Sequence, residues 1–488
     1  MCYNPPLRYL DLAVILVYLI GITWFGARFR HSQKTLKDYF LGGRDTPWWA
    51  ISFSIVSAET STLTVIGTPA LAFYGNFGFL QVVLGYLLAR VVISTLLLPH
   101  YFLGEMYTAY ELMQRRFGQR IRRLTAAAFL VLRALAEGVR VFAISIVISI
   151  VLGTGETISI LLIMCLTLFY TFEGGMTAVI WTDVVQMFLY IAGAILSLFV
   201  IGQKIPGGWE QILTVAGEAG KFQVLDFRLG PAEEFFSRTY TFWAGIVGGC
   251  FLTTASHGTE QLMVQRLLAA RSQKEGRTAL FASWIVICFQ FSLFLLIGAI
   301  LYVYYKGAGI PPPAPADRIY PDFIWRHLPT GAAGLVIAAI LAAAMSNLSA
   351  ALNSLASTTV MDFLKPAANT ERSDASWLAL ARRVTIVWGA ILFAIAVLAQ
   401  GVKSVLEAGL SIASVIYGSL LGVFLLGVLT RRVREKAAMA GMVVGLLVML
   451  YVRLGTSIAW TWYVCIGTTV TFVTAWVAAV WMREERNA

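Results

Sequence analysis

The sequence predicts an all-α integral membrane protein with 13 transmembrane helices. Hydrophobic residues make up 58% of its 488 residues, charged residues only 13%, and the mean hydropathy is +0.76. No soluble globular chain of this size has such a composition. About 20 apolar residues in a helix cross a hydrocarbon core about 30 Å thick, and the backbone polar groups there must pair within the span. The fold therefore follows from the apolar segments and the charges between them.

Thirteen segments have the length and composition of such helices. They cover residues 9–27, 47–73, 78–105, 122–153, 157–172, 176–203, 239–262, 278–305, 331–362, 380–400, 403–429, 437–452 and 458–481. The first is not a cleaved signal peptide, because the residues before it carry little positive charge and no small-residue cleavage site follows it.

Positive charge is concentrated on every second connection. Of the 37 Lys and Arg residues, 24 lie in 28–44, 115–123, 266–277, 365–383, 431–436 and 483–486. By the positive-inside rule these segments face the cytoplasm. We therefore expect a multi-pass protein of the plasma (inner) membrane with its N-terminus outside and its C-terminus in the cytoplasm. Topology and anionic lipid explain the net charge of +11, so no nucleic-acid partner is needed.

Two of the spans contain polar stretches that favour a helix break. In span 47–73 the run 57–69 (SAETSTLTVIGTP) holds hydroxyls, an acid, glycine and proline, and in span 239–262 the run TTASHGTE follows a Gly–Gly pair. Polar groups at membrane depth are tolerated where they line an enclosed cavity. The alternative is that the hydroxyls only bond to carbonyls one turn earlier.

The broken spans are the second and the seventh, and each begins a run of five spans. The two runs start from opposite sides of the membrane, which predicts inverted repeats with a binding site at the midplane between the discontinuous helices. We divide the chain into an N-terminal helix and cytoplasmic loop, a first repeat, an extracellular loop, a second repeat and two C-terminal helices. These parts are 1–46, 47–203, 204–238, 239–430 and 431–488.

Five motifs occur in order along the chain. They are DYFLGG at 38–43, YELMQRRFG at 110–118, GGMTAVIWTDVVQ at 174–186, QLMVQR at 261–266, and AAAMSNLSAALNS at 342–354 followed by MDF at 361–363. In this order and spacing they resemble the sodium:solute symporter family, which includes sodium/glucose, sodium/proline and sodium/sialic acid cotransporters. The resemblance covers nearly the whole chain. It implies a leucine-transporter-like core of two inverted five-helix repeats, with one helix before it and two after it.

The resemblance also implies a sodium site between the first and eighth core helices. Matched by position, its ligands are the carbonyl oxygens of Ser57, Thr60 and Ala343 and the side chains of Ser346 and Asn347. Asn347 stands where the family usually has Ser or Thr, although an amide oxygen can also coordinate an ion. The alternative role for Ser346 and Asn347 is hydrogen bonding between packed helices.

A second sodium site occurs in some family members. Asp183 and Ser349 match two of its ligands, but Ala350 stands where another hydroxyl is needed. An acid within a span is by default a functional hypothesis, and the alternative is a structural role for Asp183 near the cytoplasmic mouth. We expect one sodium ion per cycle rather than two.

The fourth span holds Arg133, Glu137 and Arg140, whose spacings of four and three place them on one helix face. They could form an internal ladder of ion pairs, with one positive charge left over and Glu59 as a possible second partner. Alternatively, Arg140 faces the cavity and binds an anionic substrate, since its planar fork suits a carboxylate.

The resemblance favours the second role for this arginine. Ser61, Thr64 and Arg140 match the residues that hold a carboxylate in the sodium/sialic acid cotransporters, and a half-helix beginning near Thr64 would add its dipole. Weaker candidates for lining the site are Gln81, Glu260 and Gln261.

We therefore expect Na⁺-driven import of a small organic solute by alternating access, with a carboxylate-bearing substrate preferred to a sugar or an amino acid. A proton-coupled transporter, in which Glu59, Asp183 or Glu260 titrates, is the first alternative. A membrane sensor is less favoured, because only residues 482–488 follow the last span.

An enzyme is not expected, because the sequence shows no nucleophile–base pair, metal motif or phosphate loop. Its five cysteines have no metal or redox spacing. The expected partners are Na⁺ as coupling ion, a small-molecule substrate and the lipid bilayer. No nucleic acid and no obligate protein partner are expected.

Overall fold

The computed structural model describes residues 8–28, 44–103, 109–170, 176–364 and 374–482. Regular structure in these ranges is helical, apart from one isolated bridge between Thr46 and Ala270. The predicted all-α class is therefore confirmed. The motif at 38–43 and the first two residues of the motif at 174–186 lie outside the described residues.

The helices are numbered here in chain order. The first part of the chain forms α1 Tyr9–Ala27, α2 Trp48–Glu59, α3 Thr62–Tyr74, α4 Phe77–Tyr101, α5 Ala109–Phe117, α6 Gln119–Leu152, α7 Glu156–Tyr170 and α8 Met176–Gln203. The second part forms α9 Gly208–Glu218, α10 Ala232–Ser237, α11 Phe242–Gly258, α12 Gln261–Leu268, α13 Gln273–Ala308, α14 Ile319–His327, α15 Ala332–Thr358, α16 Asp374–Leu398, α17 Val405–Leu429, α18 Glu435–Gly455 and α19 Tyr463–Trp481.

Eight of the described helices are long and apolar enough to cross a membrane, or nine if the bent pair α2 and α3 is one span. The eight are α4, α6, α8, α13, α15, α17, α18 and the helix that includes α19. Shorter apolar stretches of 10–17 residues lie in α1, α7 and α16. Each predicted span coincides with a helix or a pair of helices, whereas the full count of 13 crossings stays a prediction.

The first break lies at Thr60 and Ser61, where α2 and α3 are bent by 64° relative to each other. Gly67 and Pro69 do not mark it, because both lie inside α3. Gly67 serves packing instead, since a Cβ atom there would lie 2.7 Å from the Cβ of Leu406 in α17. The hydroxyl-rich sequence therefore contains the break, while the glycine lets α17 approach.

The second break lies at Thr259 and Glu260, between α11 and α12. The Gly–Gly pair lies in the middle of α11, where a Cβ atom on Gly249 would be 2.2 Å from the carbonyl oxygen of Val82. Small residues allow helix backbones in a membrane to approach closely. Gly249 thus lets α11 approach α4, and Gly248 lets it approach Thr461, where a Cβ atom would lie 2.2 Å from the carbonyl oxygen. The pair therefore serves packing rather than the position of the break.

Long helices enclose the first break. Helix α13 packs against both α2 and α3, α8 packs against α2, and α6 and α15 pack against α3. Gly298 brings α13 so close that a Cβ atom on it would lie 2.1 Å from the carbonyl oxygen of Pro69. The hydroxyl residues at the break are buried, and they include Ser57, Thr60, Ser61 and Thr64.

Candidate functional site

The carboxyl end of α2 presents backbone carbonyls at the first break. The amide of Thr60 donates to the Val56 carbonyl, and the amide of Ser61 donates to the Glu59 carbonyl. Among the described residues, no backbone N–H donates to the carbonyls of Ser57 or Thr60. A helix carboxyl end carries partial negative charge, so this end of the break suits a cation.

The amino end of α3 presents the opposite charge. Ser61 occupies its N-cap position with an extended backbone, but its side chain makes no capping hydrogen bond. The amides of Thr64 and Val65 donate to the Ser61 carbonyl, whereas those of Thr62 and Leu63 find no backbone acceptor in the described ranges. Free amides at a helix N-terminus form a site that suits an anion.

Two polar side chains approach the break from neighbouring helices. Gln290 of α13 donates from Nε2 to the Thr60 hydroxyl at 2.5 Å. The buried hydroxyl of Tyr190 in α8 lies beside the side chains of Ser57 and Thr60. Neither residue was predicted from the sequence, although a glutamine inside the apolar α13 is a recognisable signal.

The remaining predicted sodium ligands lie on α15. Asn347 and Ser349 are partly buried on this helix, which packs against α3. Ala343 and Ser346 belong to the same helix, but their side chains lie outside the described residues. Their part in a sodium site therefore stays a prediction.

Asp183, the candidate ligand of a second sodium ion, is in contact with an arginine. Its Oδ2 lies 2.9 Å from Nη2 of Arg266 and accepts a hydrogen bond from the Ser54 hydroxyl at 2.7 Å. Arg266 also donates from Nε to Ser54 at 2.9 Å. The guanidinium thus balances the charge of this buried carboxylate.

The ion-pair ladder of the fourth span is longer than predicted. Oε2 of Glu137 lies 3.2 Å from Nη1 of Arg140 and 3.3 Å from Nη2 of Arg133. Arg133 also reaches Oε1 of Glu260 at 3.2 Å, and the hydroxyl of Tyr417 in α17 donates to Oε2 of Glu260. The second carboxylate of the ladder is therefore Glu260 at the second break, not Glu59, so two cations face two anions.

Arg140 is the open end of this ladder. Its side chain is 26% exposed, compared with 1% for Glu137 and 5% for Arg133. Its Nε is buried and has no hydrogen-bond partner in the described ranges. Arg140 belongs to α6, which packs against α3, the helix whose N-terminus is described above.

Glu59 belongs to a separate cluster. Its Oε2 lies 3.2 Å from Nε2 of His257 and 3.3 Å from Nη2 of Arg90. The three acids considered for proton coupling thus each contact an arginine, and the pairs are Glu59–Arg90, Asp183–Arg266 and Glu260–Arg133. None of these acids is an isolated buried charge.

Two of the weaker lining candidates are bonded to backbone. Gln81 donates from Nε2 to the Tyr240 carbonyl at 3.1 Å and accepts the Asp226 amide at 2.9 Å. Gln261 accepts the Ala109 amide at 2.8 Å. Both side chains therefore hold connecting segments in place, and the third candidate belongs to the ladder.

Comparison with protein families places these features in context. The model of the sodium:solute symporter family matches residues 39–445. The chain is 29% identical to sodium-coupled monocarboxylate transporter 2 of Mus musculus over 463 residues, which cover 92% of this chain and 72% of the transporter. It is 28% identical to the sodium/sialic acid symporter SiaT of Proteus mirabilis over 486 residues, covering 96% of this chain and 95% of SiaT.

A solved structure is also similar. The substrate-bound, outward-open structure of a Na⁺-coupled sialic acid symporter, described as revealing a novel Na⁺ site, superposes with a TM-score of 0.83 at 28% identity. The match covers 96% of this chain and 98% of that one. The helical arrangement around the two breaks is therefore that of a sodium-coupled transporter.

Proposed function

The chain belongs to the sodium:solute symporter family, and we propose that it imports a small carboxylate-bearing solute together with Na⁺ by alternating access. Sodium-coupled symport follows from the family and from the similar transporters, which are not enzymes. The substrate class, the ligand residues and the orientation in the membrane form the proposal. The proposed core of the protein consists of two inverted repeats, 47–203 and 239–430. The N-terminus is proposed to lie outside.

The carboxylate proposal is supported by the α3 N-terminus and the neighbouring helix α6, which together suit an anion. The α3 N-terminus has amides without backbone acceptors, and the Ser61 side chain at its N-cap is not used for capping. Arg140 lies on the adjacent helix with a free Nε and partial exposure. Ser61, Thr64 and Arg140 would hold the carboxylate. The similar transporters named above act on sialic acid and on monocarboxylates, and both are carboxylic acids.

Sodium would bind at the opposite end of the same break. The proposed ligands are the carbonyl oxygens of Ser57, Thr60 and Ala343 with the side chains of Ser346 and Asn347. The two carbonyls that receive no backbone N–H within the described ranges are those of Ser57 and Thr60. Neutral oxygen ligands hold a cation without burying a net negative charge.

Adjacent positions for the two ligands explain the coupling. Thr60 would contact the ion and Ser61 the carboxylate. Consecutive Cα atoms are about 3.8 Å apart, so the two bound charges, each beyond its own residue, would lie only a few ångströms further apart than that. Opposite charges about 7 Å apart at an effective dielectric constant of about 20 attract by about 2 kcal/mol. Each ligand would then raise the affinity of the other by about 30-fold, by the same factor in both directions.

One sodium ion per cycle is favoured. Asp183 is already paired with Arg266, and Ala350 supplies no hydroxyl. A monovalent carboxylate carried with one Na⁺ moves no net charge, so only the sodium gradient drives it. A tenfold gradient supplies about 1.4 kcal/mol, and the membrane potential, worth about 2.3 kcal/mol per charge at 100 mV, does not contribute.

Proton coupling is the alternative with a specific observation against it. Because each candidate acid contacts an arginine, binding a proton there would leave its cluster with one positive charge in excess, which is unfavourable in a buried site. Uptake that persists without sodium and collapses with a protonophore would favour this alternative.

A ligand screen by thermal unfolding tests the proposal. Purified protein is heated with sialic acids, monocarboxylates, sugars or amino acids, each in NaCl and in choline chloride. We expect stabilisation by a carboxylate only when Na⁺ is present, because a ligand that binds only the folded state raises the unfolding temperature. Stabilisation by a neutral sugar alone, or the same stabilisation in choline, would contradict it.

A further inference from the structure

We propose that Glu137 is a tethered carboxylate that occupies Arg140 in the absence of substrate and is displaced onto Arg133 when a substrate carboxylate binds. This inference rests on the proposed function, since it requires a substrate carboxylate at Arg140. It makes Glu137 a residue that determines specificity and positions Arg140.

The shared oxygen of Glu137 is the first observation. Oε2 lies between two guanidinium groups, 3.2 Å from Arg140 and 3.3 Å from Arg133. Oε1 of Glu137 is buried and has no hydrogen-bond partner in the described residues. Leaving Arg140 would therefore cost Glu137 only one of two charged contacts, and its free oxygen could then bind Arg133.

Arg140 also has hydrogen-bond donors that Glu137 does not occupy. Glu137 contacts a single Nη atom, and Nε has no partner in the described part of the chain. A free carboxylate can bind the guanidinium with two parallel hydrogen bonds, which is stronger than one shared contact. Arg140 is also the exposed member of the ladder, at 26% against 1% for Glu137. An entering carboxylate can thus replace the internal one with better geometry.

The far end of the ladder gives the displacement a structural consequence. Arg133 also contacts Glu260 at 3.2 Å, and Glu260 is the N-cap residue of α12 at the second break. When Glu137 turns wholly to Arg133, its free oxygen can bind Nε of Arg133, which is buried and has no partner among the described residues. The charge of Arg133 is then shared more evenly between Glu137 and Glu260, so substrate binding at the first break would alter a contact at the second.

The same arrangement selects against neutral solutes. A sugar that entered would have to separate Glu137 from Arg140 without supplying a replacement charge. The Arg140 guanidinium would then have no counter-charge. An unpaired charge of this kind disfavours binding of the wrong ligand, as in other sites that discriminate by an unfavourable term.

The test compares Glu137→Gln with wild type in binding titrations of N-acetylneuraminate and L-lactate, with purified protein in NaCl and in choline chloride. If Glu137 occupies Arg140 in about 80–90% of molecules, its removal tightens carboxylate binding about fivefold to tenfold, because the apparent affinity is reduced by the competent fraction. A residue with only a structural role would weaken binding when replaced. Glu137→Asp, which shortens the reach but keeps the charge, should tighten binding by a smaller factor and serves if the Gln variant does not fold.

Glu156→Gln is the matched control. Glu156 lies 3.3 Å from Arg318, so the control also removes one carboxylate from an arginine pair, and we expect unchanged affinity. Sodium-dependent binding by wild type with equal or weaker binding by Glu137→Gln would overturn the role of Glu137 alone. If wild type binds neither probe while a neutral solute stabilises it, the proposed function and this inference both fail.

Discussion

Nε2 of His257 lies 3.2 Å from Oε2 of Glu59, so the ends of the two interrupted helices are in direct contact. Glu59 is the last residue of α2, and His257 is the residue before the last of α11. Arg90 of α4 reaches the same oxygen at 3.3 Å. Because α4 packs against α11, moving the first break away from the second would also separate Glu59 from Arg90. That would leave buried charge uncompensated, which is strongly unfavourable. The two breaks are therefore expected to move together during transport.

Replacing Glu59 by Gln should lower stability substantially. The Arg90 side chain is 0% exposed, and removing one partner of a buried ion pair costs about 3–5 kcal/mol because the other charge stays buried. We expect a clear fall in the thermal unfolding temperature of the purified protein. Glu234→Gln removes a carboxylate from the exposed pair with Arg238 and should have little effect.

A double variant separates this explanation from general damage. In Glu59→Gln with Arg90→Gln the uncompensated charge is gone, so part of the lost stability should return. Additive losses in the double variant, or an unchanged unfolding temperature in Glu59→Gln, would show that the pair does not act as described.

Gln290 is expected to support the sodium end of the first break. Gln290→Leu removes the hydrogen bond to the Thr60 hydroxyl, and a hydrogen bond of this kind contributes about 1 kcal/mol. The sodium concentration for half-maximal uptake should rise about fivefold. Ser292→Ala on the same helix loses only a bond to the Cys288 carbonyl and should leave that concentration unchanged. Equal sodium dependence in both variants would remove Gln290 from the sodium site.

The spacing of residues along the sequence predicted side-chain contacts that form within a single helix. The positions of Arg133, Glu137 and Arg140 follow from helical periodicity, and the structure places them in contact. The hydroxyl-rich run likewise predicted an interruption in the second span. Its exact place could not be read from Gly67 and Pro69, because tertiary packing against α17 explains the glycine.

Contacts between distant segments were beyond the sequence. Glu260 and Tyr417 lie more than 100 residues from Arg133 along the chain, and only the folded arrangement of α6, α12 and α17 brings them together. The partners of Glu59 were missed for the same reason. The sequence thus indicated which buried charges needed partners but not which partners they have.

Asp317, which lies outside the spans, is expected to make the stability of the protein depend on pH. It lies in the connection between α13 and α14, buried, and Oδ2 accepts the Val405 amide at 3.0 Å at the start of α17. Its Oδ1 has no partner in the described ranges. Burial raises the pKa of Asp317 from 3.8 to about 6, and Glu407 adds to the rise.

The sign of the effect follows from linkage. The folded state holds this proton more tightly than the unfolded state, so the stabilising contribution is complete below about pH 4 and is lost as pH rises through about 6. Between pH 5 and pH 7 we expect wild type to lose about 1 kcal/mol relative to Asp317→Asn, whose amide does not titrate. Unfolding temperatures of both proteins at pH 5, 6 and 7 measure this. A difference that stays constant with pH would contradict the expectation.

Arg140→Lys separates the charge of Arg140 from its shape. Lysine keeps the positive charge but cannot form the planar, two-pronged contact with a carboxylate. Losing one charged hydrogen bond costs about 1.5–3 kcal/mol, so carboxylate affinity should fall about tenfold to 100-fold in Arg140→Lys and be abolished in Arg140→Ala. Calorimetric titration in NaCl measures both, and sodium binding without substrate should change little in the lysine variant. Wild-type affinity in Arg140→Ala would leave Arg140 only its ion pair with Glu137, and the substrate would then have to be held at the α3 N-terminus alone.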